Sequence, residues 1–126
     1  MRTAIRIAIA LVGVFNLAIG LAFLVAPSRL GVQFFLLPAS IQGLATMRAD
    51  FTAFFVTGGA FALFGAWRGR VEPLTVPLLL LAIALLGRCV GIAVDGASPT
   101  AYEPMIAEAV MIAILLAGRR ILSTQR

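Results

Sequence analysis

The chain has 126 residues, of which 62% are hydrophobic and only 12% are charged, and its mean hydropathy is +1.09. A soluble domain of this size holds closer to half apolar and a quarter charged residues, and it could not cover this much apolar surface. The composition therefore excludes an ordinary soluble domain and predicts a protein that lies in a lipid bilayer. The length suits one domain, residues 1–126, with no separate soluble part.

The net charge of +5 comes from ten arginines and no lysine, set against five acids. Most of the arginines flank apolar runs, which is typical of topology signals and not of a nucleic-acid-binding patch. Cys89 is the only cysteine and the chain has no histidine, so a disulfide within the chain, a Cys–His nucleophile pair and the usual zinc sites are excluded. We therefore expect no metal, no cofactor and no nucleic-acid partner.

The first apolar run predicts a membrane span over residues 5–26. This run is longer than the ~7–15 apolar residues of a signal peptide, so we expect it to be retained. Residues 30–47 are also uncharged, but Pro38 and Gly43 interrupt them. We expect this stretch to form an interfacial or partly re-entrant segment.

Three further apolar runs predict spans over residues 50–67, 74–94 and 102–118, each approaching the ~20 residues that cross a bilayer. The second span is expected to begin at Asp50 as its N-terminal cap and to end near Trp67, an interface anchor. The sequence thus predicts an all-α polytopic membrane protein. Its four transmembrane helices should form an up-down bundle, with the interfacial segment between helices 1 and 2.

The arginines also predict the orientation. With both termini inside, seven of the ten arginines lie on the inner side: Arg2, Arg6, Arg68, Arg70, Arg119, Arg120 and Arg126. The positive-inside rule then favours a multi-pass protein of the cell inner membrane whose N and C termini are cytoplasmic.

Small residues recur four apart along three of the predicted spans. They are Gly58, Ala62 and Ala66; Gly87 and Gly91; and Ala109, Ala113 and Ala117. Such ridges let helices approach closely in lipid. We expect them to pack within the bundle, with an oligomer interface as the alternative.

Two charged residues of opposite sign fall at one depth on sequential spans. Arg88 lies six residues before Val94 and Glu108 lies six after Tyr102, so both sit roughly 9 Å below the outer helix ends at ~1.5 Å per residue. Charges at this depth are costly unless they are paired or hydrated. We therefore expect an Arg88–Glu108 pair, which either lines a functional site or only fixes the helix register.

Other polar residues are expected near the same level, in a pocket that opens to the outer leaflet. Thr57 falls at this depth and Asn16 falls deeper, while Arg48 is expected to find a partner in Asp95 or Glu103. The predicted polar cluster, which we interpret as ligand-binding and not catalytic, comprises Asn16, Arg48, Asp50, Thr57, Arg88, Asp95, Glu103 and Glu108. Its expected apolar wall consists of Phe51, Phe54, Phe55 and Phe61.

These residues resemble a bacterial family of four-helix membrane proteins, the domain-of-unknown-function family 4345 of the DoxX-like group. The resemblance rests on Arg48-Ala-Asp-Phe51, Gly58-Gly59 and Gly65 in the first half, and on Arg88, Gly91, Asp95-Gly96 and Glu108 in the second. It covers nearly the whole chain, although residues 52–55 separate the first motif from the glycine pair by more than the family pattern does. The resemblance implies a four-helix fold with a shared polar cluster and no established activity.

The sequence is compatible with three functions. The favoured one is a non-catalytic membrane protein that binds a lipid or another amphiphilic molecule in the polar pocket, or that serves as an accessory subunit of a membrane complex. The alternative is a small oligomeric transporter or channel with Glu108 as its coupling carboxylate. A third is an enzyme that uses Glu108 and Asp50 in acid–base chemistry. The expected partners are membrane lipids, an amphiphilic small molecule, and a second copy or a larger complex.

Overall fold

A computed structural model of the chain describes residues 1–124, and all the regular structure in this range is helical. The predicted all-α class is thus confirmed for the described residues, while Arg126 of the predicted inner side lies outside them. A 3-10 turn, Glu72–Leu74, leads into the fourth helix. The α-helices are α1 (Arg2–Val25), α2 (Pro27–Gln33), α3 (Ile41–Arg68), α4 (Thr75–Asp95) and α5 (Tyr102–Ser123).

Three segments are long and apolar enough to cross a membrane: Arg2–Val25, Ile41–Arg68 and Glu72–Asp95. Helix α5 has 22 residues, which is also sufficient length. It is more highly charged, however, because it holds two glutamates and two arginines: Glu103, Glu108, Arg119 and Arg120. The apolar helices support the predicted membrane protein.

Helix α3 begins nine residues before the predicted second span. Its N-cap is Ser40, whose hydroxyl accepts a hydrogen bond from the backbone N–H of Gly43 at 3.1 Å. The prediction that Asp50 caps this helix is therefore wrong, because Asp50 lies about two and a half turns inside it. Pro38 precedes the cap, and Gly43 sits in the first turn, where it weakens the helix by about 1 kcal/mol without ending it.

The predicted interfacial segment is correspondingly shorter, since α3 already includes residues 41–47. Helix α2 and the connection 34–40 remain between the two long helices. In this connection Phe35 adopts a positive φ of 58°, and the N–H of Leu36 returns to the carbonyl of Gly31 at 2.8 Å. A positive φ is strained for a bulky residue.

Helices α1 and α3 form the closest pair in the fold and run antiparallel. A Cβ atom on Gly59 would lie 2.7 Å from the carbonyl oxygen of Gly13, and one on Gly13 would lie 3.0 Å from that of Gly59. Further along, the Thr52 hydroxyl donates to the carbonyl of Gly20 at 3.2 Å. Glycine is required at this crossing because the two backbones touch directly.

Arg6 joins the other end of the same helix pair. Its Nε donates to the carbonyl of Ala66 at 2.7 Å and its Nη2 to the carbonyl of Trp67 at 2.6 Å. These carbonyls belong to the last turn of α3, where a helix lacks internal donors and its dipole favours a cation. The arginine that sequence reasoning assigned only to topology is thus also a cap for α3.

Helices α4 and α5 pack against this pair most fully at the end of the bundle where α1 begins and α5 ends, here called the terminal end. The buried core at this end draws on all four long helices: Ile9, Ala62, Ala66, Leu74, Leu78, Leu81, Leu115 and Leu122. The opposite end, which holds α2 and the 96–101 loop, is called the loop end. There the buried core does not extend into α4, whose buried residues are Pro77, Leu78 and Leu81.

The predicted small-residue ridges have different surroundings. The ridge on α3 is buried, as expected for packing within the bundle. On α4, a Cβ atom at Gly87 or Gly91 would meet nothing within 4 Å. On α5, Ala109 and Ala113 are exposed.

Replacing Gly59 with alanine should destabilise the fold, whereas Gly87→Ala should not. Overpacking of a tight contact costs about 1–3 kcal/mol, which exceeds the gain of up to ~1 kcal/mol from alanine's better helix propensity. At Gly87 only that gain applies, because its surroundings are open. Thermal unfolding of both variants in one detergent checks this, and a Gly59→Ala variant as stable as wild type would contradict the close crossing.

Candidate functional site

Arg88 and Glu108 form the ion pair that their equal depth predicts. Nε of Arg88 on α4 donates to Oε1 of Glu108 on α5 at 2.9 Å. The Glu108 side chain is only 11% exposed, whereas the Arg88 side chain is 39% exposed. The carboxylate is thus held inside the bundle and the guanidinium reaches out of it.

The pair uses only one atom of each partner. Oε2 of Glu108 is buried and has no hydrogen-bond partner among the described residues. Nε makes the one hydrogen bond of the Arg88 guanidinium to the described part of the chain, so both Nη groups are left available. A bidentate pair would have satisfied both oxygens and two nitrogens. This geometry leaves donors for another molecule.

A cavity of about 520 Å³ lies beside Arg88 at the loop end. Sites for small molecules commonly have volumes of ~300–1,000 Å³. Helices α4 and α5, the 96–101 loop and the α2–α3 connection line it, and it is open to the outside on one side. Its apolar lining includes Phe34, Phe35, Ile92 and Met105, and its polar uncharged lining includes Gln33, Ser98 and Thr100.

Three charged residues line this cavity, namely Arg88, Asp95 and Glu103, which give it a formal net charge of −1. Asp95 follows Arg88 by seven residues on α4, about 10 Å toward the loop end. Glu103 precedes Glu108 by five residues on α5, about 7.5 Å in the same direction. The structure therefore brings three predicted site residues to one cavity, with Glu108 directly behind it.

Asn16 is buried in the bundle, as predicted, but it does not line this cavity. Its Nδ2 donates to the carbonyl of Val12 at 2.8 Å and to the sulfur of Met111 at 3.4 Å. Met111 lies one turn after Glu108 on α5, so Asn16 sits one level nearer the terminal end. It links α1 to α5 through the thioether.

Thr57, Asp50 and Arg48 are not brought to the cavity. Thr57 and Asp50 are seven residues apart on one exposed face of α3, and Thr57 is 200° around the helix from Gly59, which faces α1. Arg48 lines a different groove, of about 590 Å³, beside Leu24 of α1. The expected pairing of Arg48 with Asp95 or Glu103 is wrong, since no ion pair of Arg48 occurs within residues 1–124.

An aromatic cluster forms a second wall near the cavity. Phe23 is fully buried and stacks on Phe51 with ring centres 4.7 Å apart, and it meets the Phe34 ring edge-on at 5.3 Å. Phe55 and Phe54 continue the cluster along α3, while the predicted member Phe61 is 41% exposed and lies outside it. Sequence reasoning missed Phe23 and Phe34.

Phe34 connects this aromatic cluster to the cavity, because it belongs to both. Its neighbour Phe35, with the strained positive φ, also lines the cavity. Backbone strain of this kind is concentrated at binding and switch sites.

Comparisons with family models, with curated proteins and with solved structures gave no significant match. The resemblance to the four-helix DoxX-like family therefore stays a prediction from the residues quoted above.

Replacing Arg88 alone should destabilise the protein more than replacing both partners of the pair. Arg88→Leu leaves the Glu108 carboxylate buried without a partner, a loss that costs about 3–5 kcal/mol for a buried pair. We expect a value near the lower end, because Arg88 is partly exposed. The double variant Arg88→Leu/Glu108→Leu should regain most of this free energy of unfolding.

The control is Glu103→Leu, which removes an exposed carboxylate from α5, the helix that carries Glu108. It should lower the free energy of unfolding by no more than about 1 kcal/mol, the value of a carboxylate in the first turn of a helix. An Arg88→Leu variant no less stable than Glu103→Leu would show that the pair does not couple α4 to α5.

Proposed function

We propose that this chain is a small, non-catalytic integral membrane protein that binds an amphiphilic molecule in the cavity at its loop end. One observation carries the proposal: Arg88 lines that cavity with a partly exposed side chain, while its partner Glu108 is nine-tenths buried. The buried carboxylate holds the guanidinium in place, so that its Nη groups are positioned to bind an anionic oxygen. Hydrogen bonds to charged groups are among the strongest that proteins make.

The lining of the cavity suits a molecule with an apolar part and a polar head. Phe34, Ile92 and Met105 offer apolar contact on one side, and Arg88 offers charge. The Phe23 cluster behind Phe34 supports this wall with stacked rings. A rigid apolar wall with a few fixed polar groups is the usual make-up of a ligand site.

Arg88→Gln should lose the bound amphiphile while the fold persists. A charge-assisted hydrogen bond contributes about 1.5–3 kcal/mol, so retention should fall roughly 10- to 100-fold. Mass spectrometry of the lipids and metabolites that co-purify in a mild detergent measures this. Arg48→Gln is the matched control, because it removes an arginine from a different groove.

A second variant keeps the test decisive if Arg88→Gln fails to fold. Met105→Trp fills the cavity and leaves every charge in place, and it should also reduce retention. A folded Arg88→Gln protein with an unchanged complement of co-purified molecules would overturn the proposed site.

We further propose that the chain crosses the membrane four times, with α1, α3, α4 and α5 as the spans. The length of α5 and the burial of Glu108 within the bundle support a fourth span despite the charges of that helix. The positive-inside rule supports cytoplasmic termini in the cell inner membrane, with the cavity in the outer leaflet.

The orientation can be tested with single cysteines. In a Cys89→Ser background, a membrane-impermeant maleimide applied from outside should label Ser98→Cys at the loop end and should spare Ser123→Cys at the terminal end. Both positions are exposed in the fold. The reverse pattern of labelling would contradict the proposed orientation.

Membership of the DoxX-like four-helix family is part of the same proposal. Two of the residues that carry the resemblance have clear structural tasks, Gly59 at the α1–α3 crossing and Arg88 in the ion pair. An alignment of homologues in which Gly59, Arg88 and Glu108 vary freely would count against it. The accessory-subunit role and the homo-oligomer stay predictions.

The second candidate function is an oligomeric transporter or channel that uses Glu108 as its coupling carboxylate. The observation that favours it is the buried Oε2 atom, which has no hydrogen-bond partner within the described chain. Ionisable groups inside a membrane frequently belong to ion pathways. Proton-driven flux into liposomes that Glu108→Gln abolishes would support this function over amphiphile binding.

A further inference from the structure

We propose that the amphiphile is a zwitterionic phospholipid whose head group carries a phosphate and ends in an ammonium group. This inference rests on the proposed function and names the head group that the same cavity selects. It follows from the order in which the charges occur along the cavity.

The cation is the deepest charge of the cavity lining. The 2.9 Å bond from Nε to Glu108 fixes the Arg88 guanidinium at the level of that carboxylate. Arg88 therefore does not extend fully to the loop end, as a free arginine at a membrane boundary would. Arg88 thus contributes positive charge to a cavity that Phe34 and Met105 also line.

The two anions lie nearer the loop end. Asp95 is about 10 Å beyond Arg88 along α4, and Glu103 is about 7.5 Å beyond Glu108 along α5. Both are exposed, and neither forms an ion pair in the part of the chain that the structure describes. Their carboxylates are thus available to a cation at the mouth of the cavity.

A zwitterionic phospholipid in the membrane presents the complementary order of charges. Its acyl chains lie deepest, its phosphate comes next, and its terminal ammonium lies nearest the water. Placed in the cavity, the phosphate would meet Arg88 and the ammonium would meet Asp95 and Glu103. An anionic lipid with a hydroxyl-bearing head group would instead bring no cation to these two carboxylates.

The groove beside Arg48 provides an internal comparison. Among the described residues, Arg48 alone gives this groove a charge, and the rest of the lining is apolar apart from Thr52, whose hydroxyl already donates to Gly20. Such a groove can attract a lipid phosphate, but it has no group that could recognise an ammonium. Any preference for the ammonium head group should therefore depend on the loop-end cavity and not on Arg48.

Competition between two lipids tests the inference. Purified full-length protein is incubated in mild detergent with equimolar phosphatidylethanolamine and phosphatidylglycerol, which share the phosphate and differ in the amine, and bound lipid is counted by native mass spectrometry. Wild type should retain phosphatidylethanolamine in at least several-fold excess. Asp95→Asn/Glu103→Gln should abolish that excess, and Arg48→Gln should leave it unchanged.

Failure of the head-group inference differs from failure of the proposed site. If wild type retains both lipids equally, or if Asp95→Asn/Glu103→Gln keeps the excess, the head-group inference is overturned. Loss of both lipids in Arg88→Gln would then still support the cavity. If Arg88→Gln retains both lipids as wild type does, the proposed site itself is overturned. Both acids are exposed and unpaired, so their neutral variants should fold, and the single variants Asp95→Asn and Glu103→Gln are available if the double variant does not.

Discussion

The close antiparallel contact between α1 and α3 sets the position of every other element. Gly13 and Gly59 let the two backbones touch, and Thr52 adds a hydrogen bond to α1 near the loop end. Arg6 caps the last turn of α3 from α1 at the terminal end. In a medium without water, a contact of this kind depends on packing and hydrogen bonds, since the hydrophobic effect does not draw helices together in lipid. The α1–α3 pair is therefore the unit against which α4 and α5 pack.

The other two long helices, α4 and α5, pack closely against the α1–α3 pair at the terminal end but not at the loop end. This difference leaves the cavity. At the terminal end, large side chains of α4 and α5 such as Leu78 and Leu115 fill the space against Ile9. Toward the loop end, α4 has no fully buried side chain beyond Leu81, and the Arg88–Glu108 ion pair links it to α5. The space beside that pair is open to the α2–α3 connection. The bundle is thus filled by side chains at the terminal end and bridged by an ion pair toward the loop end, where the cavity lies.

The sequence predicts depth along the membrane better than it predicts direction around a helix. Arg88 and Glu108 pair because equal depth on sequential antiparallel helices is nearly sufficient to bring two long side chains together. Thr57 has the expected depth but faces away from the bundle, since two residues of offset from Gly59 rotate a side chain by 200°. Phe23 and Gly13 could not be singled out, because apart from Asn16 the residues around them in α1 are apolar. The start of α3 was misplaced because Pro38 and Gly43 suggest a break, whereas Ser40 between them is a good N-cap.

The Arg88–Glu108 ion pair joins one nitrogen to one oxygen, and this geometry bears on whether the pair is structural or functional. A pair that only fixed the helix register would be expected to satisfy its buried atoms, since an unpaired carboxylate oxygen inside a bundle costs free energy. Here Oε2 of Glu108 has no hydrogen-bond partner among the described residues, and neither Nη group of Arg88 bonds to Glu108. The exposed carboxylates of Asp95 and Glu103 add unpaired charge at the mouth of the same cavity. Within the cavity lining the Arg88 cation lies deeper than the Asp95 and Glu103 anions, so one molecule with an inner anion and an outer cation would complement all three.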